Sequence, residues 1–127
     1  MAAKKLEEDY DLRPGFCAGY HRGVELIGRR WNGVILRELL LGATRFSEIR
    51  QRIPDLTDRM LATRLKELES AGIVKRTVHD ETPVRVEYGL TEMGRDLQDA
   101  VAALNRWASR WIPVEGDDDG HPPPSDR

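Results

Sequence analysis

The sequence has a single cysteine, Cys17, so its 127 residues cannot form an internal disulfide bond. It has no run approaching the roughly 18 apolar residues that a membrane-spanning helix requires. Its first ten residues, MAAKKLEEDY, lack the apolar segment of a secretory signal peptide. These absences count against a disulfide-rich secreted domain and against a membrane protein, and a soluble cytoplasmic protein is expected.

Motifs for catalysis and cofactor binding are also missing. The three histidines, His21, His79 and His121, are scattered and have no obvious catalytic partners. The sequence shows no phosphate-binding glycine loop, metal-ligand pair or nucleophile motif. We therefore expect no enzyme activity, no cofactor and no bound metal, which leaves a binding function.

What the chain does contain suits one small domain. Hydrophobic residues make up 39% and charged residues 33%. This is enough for a modest core, although a domain of this size buries proportionately little surface. A second subunit would supply some of the missing burial.

Charge is unevenly distributed along the chain. Although the net charge is -2, residues 17–76 carry 12 Lys or Arg against 7 Asp or Glu, a local charge of +5. Residues 77–127 carry 5 against 11, a local charge of -6. A basic centre favours a polyanionic partner such as nucleic acid, and a merely solvated surface is the alternative explanation.

Hydrophobic periodicity divides the chain into helices and one hairpin. Helical spacing of apolar residues, with Thr44 and Thr57 as N-caps, indicates the helices. The helix predicted over residues 31–41 is expected to bury a broad apolar face that includes Val34 and Leu41, and Gly42 is expected to end it. Two β-branched, alternating segments joined by a polar loop indicate a β-hairpin. The predicted helices are 18–27, 31–41, 45–53, 57–71 and 91–111, and the predicted strands are 73–78 and 84–90.

The order of these elements predicts a mainly α-helical fold with a small β-hairpin, the winged helix-turn-helix. A short helix, a tight turn and a longer helix form the helix-turn-helix, and the hairpin forms the wing. We assign residues 16–112 to this domain, which is expected to dimerise through its terminal helices. Residues 1–15 are expected to form an N-terminal arm, either loose or as a short helix packed on a partner. Residues 113–127 are expected to be a disordered acidic, proline-rich tail.

The longer helix of this pair has the composition of a DNA-recognition helix. Leu61, Leu65 and Leu68 must face the core, which leaves a polar face to solvent. Such a helix enters the major groove, where residues near its N-terminus reach base edges. The predicted DNA-contacting residues on it are Thr57, Asp58, Arg59, Ala62, Thr63 and Lys66.

Two of these residues are assigned a specific contact. Arg59 has the two donors needed to pair with a guanine, and Thr63 is placed to touch a thymine methyl group or a phosphate. Arg64 is left open, because an intrahelical ion pair with Glu67 explains it equally well. A purely solubilising role is the alternative for any single arginine, so the prediction depends on the group.

Three further residues are predicted to contact DNA. Arg45 and Ser47 lie at the start of the short helix, where backbone N–H groups also attract phosphate. Arg85 lies on the outward face of the hairpin and is expected to contact the minor groove or a phosphate. Lys75 and Arg76 are weaker candidates, because a neighbouring acid would neutralise either of them.

Several motifs resemble one known family of regulators. After the cysteine, the segments IGRRW, GATRFSEI, LATRLKELESAG and PVRVEYGLTEMG follow in order between Cys17 and about Trp111. This ordered set resembles the HxlR family of bacterial transcriptional regulators. The resemblance implies a winged-helix fold and a homodimer on a roughly palindromic operator, with dimer contacts from the first and last helices. The chain departs from the family at Ala18-Gly19, where a proline commonly follows the cysteine.

The last predicted helix favours a dimer independently of that resemblance. It carries Leu104, Trp107 and Trp111. The two tryptophans give more aromatic surface than a small core needs, and aromatic residues are enriched at interfaces. Together with Tyr20 of the first helix they form the predicted dimer interface. The alternative is that the tryptophans only cover the chain's own first helix. A twofold dimer would place its two recognition helices about one DNA turn apart.

Two places are expected to receive a signal. Some relatives use the cysteine at the position of Cys17 to sense oxidants or electrophiles, which requires a stabilised thiolate, and Arg13, His21 and Arg22 lie near it in sequence. A packing role is the alternative, and any disulfide would have to cross subunits or use a small thiol. The other candidate is a small-molecule pocket lined by the aromatic residues of the dimer interface.

Together these features predict a sequence-specific transcriptional regulator that binds double-stranded DNA as a homodimer. Repression by steric block is the simpler default, and activation is left open. The rival hypothesis is a winged-helix domain used only for protein–protein contact, since the fold does not fix the function. A neutral or acidic surface from Thr57 to Lys66 would favour that rival.

Overall fold

The structure is a computed structural model that describes residues 3–114. These residues form seven helices and two strands: α1 (Ala3–Tyr10), α2 (Ala18–Gly28), α3 (Asn32–Leu40), α4 (Phe46–Arg52), α5 (Asp58–Ser70), β1 (Val74–His79), β2 (Arg85–Leu90), α6 (Glu92–Arg95) and α7 (Gln98–Trp111). The predicted fold, mainly α-helical with one β-hairpin, is confirmed. Of the tail predicted over residues 113–127, the part from residue 115 onwards lies outside the described residues.

The core lies between α3, α4, α5 and the start of the hairpin. α5 contributes Leu61, Leu65 and Leu68, each no more than 1% exposed, as the helical spacing predicted. α3 contributes Ile35 and Leu36, which are fully buried in the same cluster. Burial of apolar surface is the main favourable term in folding, so these contacts fix which face of α5 points to solvent.

α3 buries a narrower face than its sequence suggested. Val34 and Leu41 were expected within a broad buried face, but they are 42% and 60% exposed. The helix ends at Leu40, and Gly42, with φ of +102°, is the terminating glycine that was expected. Leu41 instead lines an open groove beside α7.

Of the two threonines predicted to cap helices, only one does so. The Oγ1 atom of Thr57 accepts a hydrogen bond from the backbone N–H of Met60 (3.1 Å) and caps α5. At α4 the cap is Arg45 rather than Thr44, because Glu48 accepts a hydrogen bond from the backbone N–H of Arg45 (3.2 Å). The Thr44 hydroxyl donates to the same carboxylate (3.3 Å). α4 therefore begins one residue later than predicted.

The wing is an antiparallel hairpin in which Arg76 of β1 lies opposite Tyr88 of β2. The backbone N–H of Tyr88 also donates to the carbonyl of Thr44 (2.7 Å). This bond joins β2 to the segment just before α4. The wing and the helix-turn-helix are thus held in a fixed relation by the backbone itself.

The last predicted helix was expected to be continuous and is divided. Thr91 caps α6, accepting a hydrogen bond from the Gly94 N–H (3.1 Å). A tighter turn follows, in which the N–H of Leu97 bonds the Gly94 carbonyl three residues back (3.1 Å), and α7 then begins at Gln98. Gly94 packs directly on the carbonyl of Ile73, where a side chain would collide. Periodicity alone indicated neither this close approach nor the break in the helix.

Candidate nucleic-acid interface

Four exposed residues share the outer side of α5. Because the leucines of α5 point inward, Arg59, Ala62, Thr63 and Lys66 share the opposite side at spacings of three and four residues. All four were predicted to contact DNA. We call these four residues the recognition face; it carries two positive charges and no negative one.

Neither cation of the recognition face is neutralised by a residue between positions 3 and 114. Arg59 and Lys66 form no salt bridge with any residue of that range, whereas Arg64 does. The Nη1 atom of Arg64 lies 2.9 Å from Oε2 of Glu67, and the side chain is only 12% exposed. The ion-pair interpretation of Arg64 is therefore confirmed. Arg59 and Lys66 retain their donors for a base or a phosphate.

Thr57 and Asp58, also predicted to contact DNA, have structural roles at the start of α5. Thr57 caps the helix, and Oδ1 of Asp58 accepts a hydrogen bond from Nε of Arg50 (2.5 Å). Arg50 also donates to the carbonyl of Ile53 (3.3 Å). These bonds fix the turn between α4 and α5. Both Thr57 and Asp58 remain exposed at the N-terminal end of the recognition face.

Arg45 and Ser47 lie at the start of α4, as predicted, and both are exposed. They line an open groove of about 530 Å³ whose other side is the loop of the wing, including Pro83 and Val84. Arg85 lines the same groove. The structure therefore brings Arg85 to the same groove as Arg45 and Ser47, which lie far from it in sequence.

Arg85 is not the free cation that its position suggested. Its Nη1 atom lies 2.8 Å from Oε1 of Glu87, and its Nη2 atom lies 3.2 Å from Oε1 of Glu81. Strand alternation places Glu87 on the same side of β2 as Arg85, so their ion pair could have been predicted from the sequence. The ion pair with Glu81 depends on how the loop folds and could not have been predicted.

Arg76, a weaker candidate from the sequence, lies close to the recognition face. It lines a cleft of about 300 Å³ between α5 and the hairpin, together with Ala62, Lys66, Glu69 and Tyr88. Arg76 forms no salt bridge within the described part of the chain. The hairpin register places Arg76 beside α5, because Tyr88, which lies opposite it in the hairpin, packs against the core.

A buried polar network joins α5 to the helices before it, and no sequence pattern indicated it. Asn32 is fully buried at the start of α3 and donates from Nδ2 to the Leu26 carbonyl (2.8 Å) and to Oε1 of Glu67 (3.1 Å). Glu67 also pairs with Arg29 (3.3 Å) and Arg64 (2.9 Å). A buried amide that loses its partner pays a desolvation penalty. The network therefore fixes α5 relative to the junction of α2 and α3.

α2 and α7 contribute no buried residue to the core. The residues predicted for the dimer interface remain largely exposed: Tyr20 by 71%, Leu104 by 58%, Trp107 by 54% and Trp111 by 49%. Phe16, just before α2, is 82% exposed and was not predicted. In the single chain, whatever Trp107 and Trp111 cover, about half of each side chain stays exposed to solvent. Apolar surface of this extent is typical of an interface.

Cys17 is exposed and caps α2. Its Sγ atom accepts a hydrogen bond from the backbone N–H of Tyr20 (3.5 Å). Nearby, Arg13 pairs with Asp11, and the His21 ring contacts the carboxylate of Glu25. In the single chain the thiol is therefore accessible rather than packed in the core.

Between residues 3 and 114, no group of three or more His, Cys, Asp or Glu side chains is placed to hold a metal ion. Among the helices of that range, none is long and apolar enough to cross a membrane.

The helix pair α4 and α5, with the β1–β2 wing tied to it, defines a winged helix-turn-helix protein. The model of the HxlR-like helix-turn-helix family matches residues 26–116. The chain belongs to this family, which confirms the family predicted from the ordered motifs.

Three relatives illustrate the similarity. The chain is 45% identical over 96 residues to YvaP of Bacillus subtilis, an uncharacterised HTH-type transcriptional regulator, covering 76% of this chain and 89% of that protein. The reduced form of the transcriptional regulator YodB from B. subtilis is 44% identical, with a TM-score of 0.69 over 77% of this chain and 96% of that one. The oxidised form of the redox regulator HypR is 37% identical, with a TM-score of 0.72 over 76% of this chain and 100% of that one.

YodB has also been solved after diamide treatment and with bound quinone. The relatives named here are transcriptional regulators rather than enzymes, as was expected of this chain.

Proposed function

We propose that this protein is a sequence-specific DNA-binding repressor that occupies a palindromic operator as a homodimer. The observation that supports it most directly is the recognition face. Arg59 and Lys66 are exposed and form no salt bridge within residues 3–114, and they flank two small side chains. The opposite side of the same helix is fixed in the core. The major groove is wide enough to admit such a helix.

In the proposed complex α5 lies in the major groove and Arg59 donates two hydrogen bonds to a guanine. Lys66 and Arg76 contact phosphates where the groove meets the wing, and Arg45 contacts the backbone with Ser47. Arg85 is the weakest of the proposed contacts, because a phosphate must first displace one of its two carboxylates.

Protein–protein contact without DNA is the second candidate function. A neutral or acidic surface from Thr57 to Lys66 would favour it. The exposed side of that segment carries the cations Arg59 and Lys66 and one anion, Asp58, which pairs with Arg50, so the positive charge favours DNA.

The proposed dimer forms through the exposed apolar residues of α2 and α7. Pairing these surfaces around a twofold axis would bury Tyr20, Trp107 and Trp111 and provide the hydrophobic burial that the single chain lacks. Two recognition helices then face two half-sites about one DNA turn apart.

We further propose that operator binding responds to an oxidant, an electrophile or a small molecule. HypR is described as a redox regulator, and YodB is described in reduced, diamide-treated and quinone-bound forms. Cys17 is exposed at the start of α2, and the far end of α2 reaches α5 through Leu26, Asn32 and Glu67. A pocket formed by the aromatic residues of the dimer interface is the other proposed entry point.

The test is selection of binding sequences from random double-stranded DNA, followed by gel-shift titration of the selected sequence. Arg59→Ala is expected to reduce the affinity at least tenfold, because a bidentate contact to guanine is lost in each half-site. Arg13→Ala removes the same charge away from α4, α5 and the wing and serves as the matched control. Failure to enrich any sequence, or an equal loss in both variants, contradicts the proposal.

A further inference from the structure

The hydroxyl group of Thr63 is already engaged within α5. Its Oγ1 atom donates a hydrogen bond to the carbonyl of Arg59, one turn earlier, over 2.9 Å. A threonine hydroxyl has a single hydrogen to donate. The bond to a helix carbonyl is a stable arrangement for threonine, which commonly bonds back to the residue four positions before it. Thr63 therefore presents no free donor on the recognition face.

Two parts of this exposed side chain remain for a ligand. With its hydrogen directed to the Arg59 carbonyl, Thr63 presents its γ-methyl group and the acceptor lone pairs of Oγ1. Ala62, the preceding residue of α5, is also exposed. Two exposed residues with methyl groups therefore lie between Arg59 and Lys66 along the helix.

Exposed methyl groups between two cations suit a site in the major groove that displays a methyl group of its own. Thymine is the only one of the four bases that displays a methyl group there, and threonine and alanine methyls are among the groups that contact it. Phosphate offers only acceptor oxygens, so it would gain nothing from a side chain whose donor is engaged.

We propose that Thr63 determines specificity by contacting the 5-methyl group of a thymine in each half-site. This inference rests on the proposed DNA-binding function. Arg59 and Thr63 are separated by one helical turn, a rise of about 6 Å, and successive bases on a strand are about 3.4 Å apart. The thymine therefore lies within about two base pairs of the guanine contacted by Arg59.

The experiment replaces thymine by deoxyuridine, which lacks only the methyl group. The probe is a double-stranded oligonucleotide that the wild-type dimer selects from random DNA, and each thymine pair related by the palindrome is replaced in turn. Three proteins are compared by gel-shift titration: wild type, Thr63→Ser and Thr63→Val. Serine keeps the hydroxyl and loses the methyl, whereas valine keeps a methyl and loses the hydroxyl.

At one position the replacement is expected to weaken the wild type about fourfold per half-site, the effect of burying one methyl group. Thr63→Val is expected to show the same loss at that position, and Thr63→Ser is expected to show none. Thermal unfolding checks that the variants remain folded, as expected for an exposed position.

Two results would overturn the inference while leaving DNA binding intact. One is specific binding that is insensitive to deoxyuridine at every position. The other is a deoxyuridine effect that persists in Thr63→Ser, which would assign the methyl contact to another residue such as Ala62. Failure to select any sequence would instead refute the proposed function itself.

Discussion

Replacing Gly94 by alanine tests whether the close packing of α6 on β1 supports the fold. A β-carbon at this position would lie far inside van der Waals contact with the Ile73 carbonyl oxygen and 3.0 Å from Cδ2 of Leu90. The Ile73 oxygen cannot move freely, because it accepts a hydrogen bond from the backbone N–H of Thr91 (3.0 Å), and the Thr91 hydroxyl lies 2.6 Å from the neighbouring Gly72 carbonyl and 3.1 Å from that of Ile73. The added methyl must therefore displace α6 or break these bonds.

The size of the effect follows from those contacts. Inserting a methyl group into a tightly packed site costs about 1–3 kcal/mol, and each weakened hydrogen bond costs about 0.5–1.5 kcal/mol more. The higher helix propensity of alanine offsets up to about 1 kcal/mol. We expect Gly94→Ala to lower the free energy of unfolding by about 2–3 kcal/mol.

Urea denaturation at one fixed protein concentration measures this change, since the stability of the proposed dimer would depend on concentration. Gly28→Ala is the matched control, because Gly28 ends α2 and a β-carbon there would meet nothing within 4 Å. The control is expected to be neutral or to stabilise by up to about 1 kcal/mol. Equal free energies of unfolding for the two variants would refute the reasoning.

Three further predictions concern binding, assembly and signalling. Operator affinity should fall steeply with salt concentration. Lys66→Ala should reduce the slope of log K against log salt by about 0.9 per subunit, because one phosphate contact is lost. An unchanged slope would show that Lys66 does not contact a phosphate. Trp107→Asp should shift the protein from dimer to monomer in light scattering, whereas Ser109→Asp, on another side of α7, should not. If both variants remain dimers, the surface around Trp107 is not the dimer interface. Diamide should change operator affinity in the wild type but not in Cys17→Ser, and equal responses would exclude the cysteine from signalling.

The elements that the sequence predicted well are those that local patterns determine. The three leucines of α5 repeat at helical spacing, and Thr57 precedes them as a cap, so the helix and its buried side followed directly. The hairpin followed from the change to strand alternation. Both depend on residues that are close together in sequence.

The features that could not be predicted depend on contacts between distant segments. Asn32 is polar, and its burial is explained by its hydrogen bonds to the Leu26 carbonyl and to Glu67, 35 residues away. No local pattern indicated the close packing of Gly94 on Ile73. Arg85 alternates outward as predicted, but the loop carrying Glu81 folds back to pair with it.

The separation of the two sides of α5 bears on how such proteins diverge. Leu61, Leu65 and Leu68 hold the helix in place, whereas Arg59 and Lys66 on the other side form no ion pair within the described residues. Substitutions on the exposed side therefore cost little folding free energy, since surface changes away from packed or paired groups have small effects. Stability and base preference are then free to vary independently, and related chains can acquire new operators on an unchanged framework.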